Sequence, residues 1–159
     1  MAVRALALDF DGVLTDGTLW WGINGEELKR LSFLDIMAVS LGRKAGLTFA
    51  LISGEDSPVL DRFAAKMDIR DVFKSCKDKV AALRSFAEKN GFDLADVCYM
   101  GDDVNDLPAM RVAGLSAAPA SAHESVKRVA TIVTSRSGGR GAVRELVDEI
   151  LSREGVRPS

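Results

Sequence analysis

The sequence predicts an α/β fold, a doubly wound parallel sheet with a projecting β-hairpin, and three observations predict it. Short β-prone apolar runs alternate with longer stretches of helical pattern, the signature of strands wound with helices. The apolar runs are continuous, which suits strands buried on both faces of a parallel sheet. Several of them run into aspartate, serine or glycine, and ligands in open α/β sheets bind at the carboxyl ends of the strands.

Taken in order, Val3 to Leu8 is the first strand and leads into Asp9. Thr18 to Phe33 breaks the pattern. Asn24-Gly25 there separates two apolar-containing runs and suits a type I′ turn, so the segment reads as a hairpin over about 18–33. Trp20 and Trp21 are adjacent. Neighbours on a strand face opposite sides, so at least one indole should leave the inner face, and a projecting Trp marks a subunit interface. A helix over Ile36 to Ala45 follows, with Arg43 and Lys44 suited to its C-terminal dipole. Leu47 to Ser53 is the second strand and meets Gly54. Pro58 to Met67 is a helix with proline in its first turn. Val72 to Phe73 is a very short third strand. Asp78 to Asn90 places Val80, Leu83 and Ala87 on one helical face, and Gly91 stops it. Val97 to Met100 is a strand leading to Gly101. Pro108 to Val112 is helical, Thr131 to Thr134 is a strand, and Ala142 to Leu151 is the last helix.

With 159 residues and no repeat, low-complexity tract or linker, one domain over 1–159 is expected. Apolar residues at 47% and charged residues at 28% are ordinary globular usage. A net charge of -2 offers no basic surplus for nucleic acid or an anionic membrane. No apolar run approaches the roughly 18 residues of a membrane span, and the first residues lack the features of a signal peptide. Cys76 and Cys98, 22 residues apart, fit no zinc or redox spacing, so reduced thiols and a cytoplasmic location are expected. His123, the only histidine, falls in a loop and suits a surface or capping role.

The chemistry gathers at the strand ends. Asp9-Phe10-Asp11-Gly12 follows the first strand, Ser53-Gly54 the second, and Gly101-Asp102-Asp103 the VCYM strand, with Asp106 one turn on; Lys79 begins a helix just after the third strand. Up to five carboxylates then share one edge of the sheet. Like charges that close repel, more so when buried, and a cation must compensate them. All-oxygen ligands favour Mg²⁺, which keeps waters and takes a phosphate oxygen. The side chains of Asp9, Asp11 and Asp102 are expected to gather around that ion, with the Asp11 backbone carbonyl as a further ligand. Asp9 is placed to attack phosphorus and form an acyl phosphate. Asp11 is placed to protonate the leaving alkoxide and then deprotonate the hydrolytic water. Ser53, the Gly54 amide and Lys79 donate to the phosphoryl oxygens. Asp103 and Asp106 sit further out, one near the metal waters and one orienting Lys79 or Ser53.

The motifs DFDGVLTDG, LISG, CKDK and MGDDVNDLPAM, in that order, resemble the four motifs of the haloacid dehalogenase superfamily of phosphatases. The resemblance spans Asp9 to Met110 and extends to about Leu151. It implies a Mg²⁺-dependent phosphomonoester hydrolase. Members usually carry a cap inserted after the first or third motif. Gly17 to Leu47, about 30 residues, and Lys79 to Met100, about 20, are too short to fold as one, so no cap domain is expected. The hairpin and the GGRGAVREL segment resemble the capless branch of 3-deoxy-D-manno-octulosonate 8-phosphate phosphatases. That resemblance implies a homotetramer through the hairpins, a small-molecule sugar-acid phosphate as substrate, and a C-terminal flap and helix at about 135–151 with Arg140 near the sugar acid. Glu55 stands where the eight-carbon branch commonly has arginine. Together with Lys66 it is similar to the sister group acting on nine-carbon ketodeoxynonulosonate or N-acylneuraminate 9-phosphates, the substrate preferred here. Glu55 and Lys66 lie roughly 16 Å apart along one helix axis, so they suit sites in adjacent subunits.

Rival readings fare worse. In a receiver domain the phospho-acceptor follows the third strand and the acid pair the first, whereas here the nucleophile and its partner acid both follow the first. A calcium loop would need glycine at Leu14 and glutamate at Trp20. A phosphomutase of this superfamily would need a cap. The remaining alternative is a catalytically weak oligomerisation module, which Asp9, Asp11 and Lys79 argue against.

Overall fold

The computed structural model describes residues 2–154. The chain runs β1 (Ala5–Leu8), β2 (Trp20–Trp21), β3 (Glu27–Leu28), α1 (Phe33–Lys44), β4 (Thr48–Ile52), α2 (Pro58–Met67), β5 (Asp71–Phe73), α3 (Lys79–Lys89), β6 (Val97–Met100), α4 (Leu107–Val112), β7 (Leu115–Ala118), α5 (Glu124–Val129), β8 (Ile132–Val133) and α6 (Ala142–Arg153). Among the described residues one sheet has six strands in the order β5-β4-β1-β6-β7-β8, every neighbouring pair parallel. The order reverses at β1: the chain first builds outward through β4 and β5, then returns to β6 on the other side. Such a reversal opens a crevice at the carboxyl ends of the central strands.

The strands are buried on both faces, and the two faces differ. Leu6, Leu8, Phe49, Leu51 and Met100 point into a cluster shared with α1, α2 and α6. Ala5, Ala7, Ala50, Val97 and Tyr99 point to the other side, with Leu83 and Phe86 of α3 and Met110 of α4. Alternate residues face opposite sides of a strand, so β1 sends leucines one way and alanines the other. The small residues let α3 and α4 approach the sheet closely. Leu6, fully buried, would cost about 2–5 kcal/mol if truncated to alanine.

Register gathers the polar ends. Leu8 is level with Leu51 of β4 and Met100 of β6. Asp9 therefore leaves β1 where β4 and β6 also end, and its amide donates to the Met100 carbonyl at 3.0 Å.

The hairpin β2–β3 is antiparallel, with Trp20 opposite Leu28 and Trp21 opposite Glu27. Its connection corrects the expected turn. The Gly25 amide donates to the Gly22 carbonyl, and the Gly22 amide to the Glu26 carbonyl. Gly25 has φ 88°, while Asn24 is not among the residues with positive φ. A type I′ turn needs positive φ at both central residues, so the loop is the three-residue form with a left-handed glycine. Both indoles leave the fold, with Trp20 77% and Trp21 73% exposed.

Three elements depart from the sequence reading. β7 was not expected: Leu-Ser-Ala-Ala is short and low in β propensity, and its burial between β6 and β8 makes the strand. α5 occupies part of the expected loop after Pro119. His123 caps it, its Nδ1 accepting from the Ser125 amide at 3.2 Å. α1 begins three residues earlier than expected because Ser32 caps it, its hydroxyl accepting from the Leu34 amide at 3.1 Å.

Candidate active site

An open pocket of about 260 Å³ lies at the carboxyl ends of β1, β4 and β6, lined by Asp9, Asp11, Gly17, Ser53, Gly54, Glu55, Asp102, Asp103 and Asn105. A larger cavity, about 620 Å³, lies beside Val3, Ala95, Gly114 and Ile150. It is at the opposite end of β1 and its lining holds no cluster of carboxylates, so the smaller pocket is the candidate site.

The hub is a buried ion network. Lys79, the first residue of α3, places its ammonium 3.1 Å from Asp9 Oδ2 and 2.8 Å from Asp106 Oδ1. Asp106 Oδ1 also accepts from the Tyr99 hydroxyl at 2.6 Å. Its Oδ2 accepts from the amides of Asp102 at 2.9 Å and Asp103 at 3.2 Å. Asp106 is thus fully occupied: it orients Lys79 and holds the loop that presents Asp102. Burial pulls its carboxyl up, but Lys79 and the hydrogen bonds from Lys79 and Tyr99 outweigh this and leave it below its ordinary value.

Asp9 and Asp102 are in the opposite state. Burial first, and then the Asp106 charge, raise Asp9 well above the ordinary carboxylate range, against the pull of Lys79. Asp102 is pushed up to about 7 by burial and then by Asp106. Oxygens of Asp9, Asp102 and Asp106 lie within 4.8 Å of one another. One ammonium, that of Lys79, pairs with Asp9 and Asp106 of this set of three carboxylates, so the set is short of positive charge. A divalent cation with oxygen preference fits that deficit. Asp102 also lies against Gly12, where a Cβ would collide with its carboxylate, so it adjoins the Asp11–Gly12 peptide.

The Asp11 side chain corrects one expectation. Its carboxylate is not in the acidic group. It faces Lys29, whose ammonium lies 3.0 Å from Oδ1 and 3.2 Å from Oδ2. The Asp11 carboxylate thus pairs with the hairpin lysine and is not gathered with Asp9, Asp102 and Asp106. Thr15 braces the same loop: its hydroxyl accepts from the Gly12 and Gly17 amides at 3.2 and 3.1 Å and is 3.4 Å from Asp11 Oδ1.

Ser53 is buried just past β4. Its hydroxyl accepts from the Glu55 amide at 3.1 Å, which leaves its proton for a ligand in the pocket. Glu55 is at the pocket mouth, and Asp103 lines it while its Oδ1 accepts from the Val104 amide at 2.7 Å. Lys66, exposed in the last turn of α2, does not line the pocket. Arg140 is exposed and faces Asp16 electrostatically. The glycines of the expected flap are tightly packed. Gly138 and Gly139 are buried against the β1 loop: the Gly139 amide donates to Val13 O at 3.1 Å, and a Cβ on Gly138 would strike the Gly12 carbonyl.

Several residues of the site were missed from sequence, Thr15 and Gly17 of the loop after β1 among them. Lys29 gives no local signal because it is one charged residue in the run Glu26-Glu27-Leu28-Lys29-Arg30 of the hairpin. Tyr99 reads as an apolar strand residue. Asn105 lies within the GDDVND motif, and that position was the available clue.

The comparisons with known proteins place the chain in a family. The model of the haloacid dehalogenase-like hydrolase family matches residues 27–146. The 3-deoxy-D-manno-octulosonate 8-phosphate phosphatase of Escherichia coli K12 is 37% identical over 153 residues, 96% of this chain and 81% of that protein. The crystal structure of the phosphatase of that name from Moraxella catarrhalis, in complex with magnesium ion, phosphate ion and KDO, superposes with TM-score 0.91 at 33% identity, covering 94% of this chain and 86% of that one. The cobalt-bound form from Haemophilus influenzae gives TM-score 0.93 at 37% identity, covering 96% and 90%. The family match and this kinship show that the chain belongs to the haloacid dehalogenase-like hydrolases.

Proposed function

We propose that this protein is a Mg²⁺-dependent phosphatase that removes phosphate from a 3-deoxy-2-keto sugar acid through a phospho-aspartate at Asp9. The observation that carries the proposal is the gathering of Asp9, Asp102 and Asp106 around the single ammonium of Lys79 at the carboxyl ends of the central strands. Asp9, Asp102 and the Asp11 backbone carbonyl would hold the cation, which supplies Lewis-acid stabilisation of phosphoryl charge.

Asp11 first takes up a proton from solvent as the substrate binds; Asp9 Oδ then attacks phosphorus while the alkoxide leaves, and Asp11 gives that alkoxide the proton. Asp11, now ionised, takes a proton from water as the water attacks phosphorus and releases the Asp9 carboxylate. Lys79, Ser53 and the Gly54 amide bind the phosphoryl oxygens where transition-state charge gathers. Asp106 and Tyr99 keep Lys79 directed at Asp9. Asp103 and Asn105 line the far wall.

Kinship with the octulosonate 8-phosphate phosphatases supports an eight-carbon substrate. Glu55 at the mouth of the pocket supports the nine-carbon 9-phosphates, with Lys66 and Arg140 contributing from neighbouring subunits of a homotetramer joined through the exposed hairpins. Among the described residues no helix is long and apolar enough to cross a membrane, and both cysteines are free, which supports a reducing cytoplasmic setting. Side-by-side kcat/KM for the eight- and nine-carbon phosphates with Mg²⁺ tests the proposal. Turnover of neither, or turnover independent of a divalent cation, contradicts it.

A further inference from the structure

We propose that Lys29, at the end of the hairpin, is a positioning residue that holds the Asp11 carboxylate ready for proton transfer and out of the cation site. The inference rests on the acid–base role proposed for Asp11.

The Lys29 side chain is 3% exposed, while that of Asp11 is 30% exposed. A lysine enclosed this far is costly unless its ammonium is paired, and Asp11 provides the closest partner. The ammonium lies nearly equidistant from the two carboxylate oxygens, at 3.0 and 3.2 Å. Glu27 Oε2 is the more distant neighbour at 4.0 Å, and the Phe10 ring centroid is 5.9 Å away. Thr15 is the other side chain hydrogen-bonded to Asp11, at 3.4 Å, too long to fix it alone. Two carboxylates, Asp9 and Asp102, compete nearby for positive charge. Without Lys29, Asp11 would be free to turn toward a cation bound there and would then face the metal in place of the leaving group. Lys29 directly follows β3, whose surroundings Trp20, Trp21 and Leu28 are exposed. The proton-transfer group is thereby tied to the projecting hairpin.

The test uses the full-length protein with Mg²⁺ and its sugar-acid phosphate. Lys29→Met should lower kcat by tenfold or more while KM stays within about twofold, and Lys29→Arg should recover much of the loss. Because Lys29 acts through Asp11, Lys29→Met placed on Asp11→Asn should slow turnover no further. With 2,4-dinitrophenyl phosphate, whose leaving group needs no proton, Lys29→Met should show a burst of one dinitrophenolate per site followed by slow turnover, as Asp11→Asn should. If Lys29→Met does not fold, Lys29→Arg and Lys29→Gln are compared by the same burst. Unchanged kcat, losses that multiply in the double variant, or equal slowing of the burst and the steady state overturn the inference. An active Asp9→Asn would overturn the phospho-aspartate reading itself, whereas an inactive Asp9→Asn beside an unaffected Lys29→Met removes only the role of Lys29.

Discussion

The Asp35 carboxylate in the first turn of α1 accepts hydrogen bonds from the amides of Gly141 at 3.1 Å and Arg144 at 3.2 Å, more than a hundred residues along the chain. It caps α6 from another helix. Gly141 has φ 101° and makes no side-chain cap of its own, so Asp35 supplies what the local sequence lacks. Burial raises the Asp35 carboxyl, with the Arg144 and Gly141 amides pulling the other way. Asp35→Ala leaves two enclosed amides without a partner, and each orphan costs about 1–3 kcal/mol. A destabilisation of about 2–4 kcal/mol is expected from urea denaturation, with about half regained in Asp35→Asn. A change below about 0.5 kcal/mol would contradict the cap.

Glycine substitutions separate two kinds of close approach. In Gly138→Ala the new Cβ strikes the Gly12 carbonyl and lies 2.9 Å from Thr15 O. Both are backbone atoms of the loop that carries Asp9 and Asp11, so the loop must move. Overpacking of this kind costs about 1–3 kcal/mol, and phosphatase activity should fall at least tenfold. In Gly54→Ala the nearest atoms are 3.8 and 3.9 Å away, and stability should change by less than about 0.5 kcal/mol. Thermal melts and initial rates of the two variants check this pairing; equal stability of both would contradict it.

Cation binding should depend on pH with a definite sign. Without a cation, folded Asp102 keeps its proton up to about 7, while an unfolded aspartate loses it near 3.8. The bound proton stabilises the fold fully below the lower value, and that contribution is gone above the upper one. Asp9 acts in the same direction. A cation binds the ionised carboxylates, so the rise in melting temperature on adding Mg²⁺ should grow from pH 5.5 to pH 8. Apparent affinity should fall by up to about tenfold per pH unit below 7. A shift independent of pH would contradict the assignment of Asp102 to the cation.

The hairpin should control assembly. Trp20, Trp21, Ile23 and Leu28 are all exposed, and Trp20 and Leu28 are paired across the strands, so the hairpin presents large apolar side chains of the kind that mark an interface. Trp20→Asp with Trp21→Asp should convert a tetramer to smaller species in sedimentation velocity. A wild-type protein that sediments as a monomer would contradict the proposed assembly.

Long-range contacts mark the boundary of what was legible in the sequence. The strand ends, the helix starts at Pro58 and Lys79, and the grouping of Asp9, Ser53, Lys79, Asp102 and Asp106 follow from local pattern plus the geometry of parallel sheets. Leu115–Ala118 was opaque because small residues carry little strand propensity, and only pairing with β6 and β8 makes them a strand. The hairpin was visible, but its loop type depended on whether Asn24 takes positive φ. Lys29 and Asp35 act on partners far along the chain or across the fold, and nothing in their flanking residues reports that. The Asp11 side chain belongs with them, since its orientation depends on a lysine 18 residues away.

The most direct measurement traps the phosphoryl group. Asp11→Asn slows hydrolysis of the acyl phosphate, so rapid acid quench after mixing with labelled sugar-acid phosphate and Mg²⁺ should leave hydroxylamine-sensitive label on the peptide containing Asp9. Asp9→Asn should carry no label and retain less than about a hundredth of wild-type turnover, a barrier increase of more than about 2.7 kcal/mol. Product released steadily with no label on that peptide, or an Asp9→Asn enzyme working near the wild-type rate, would contradict the account.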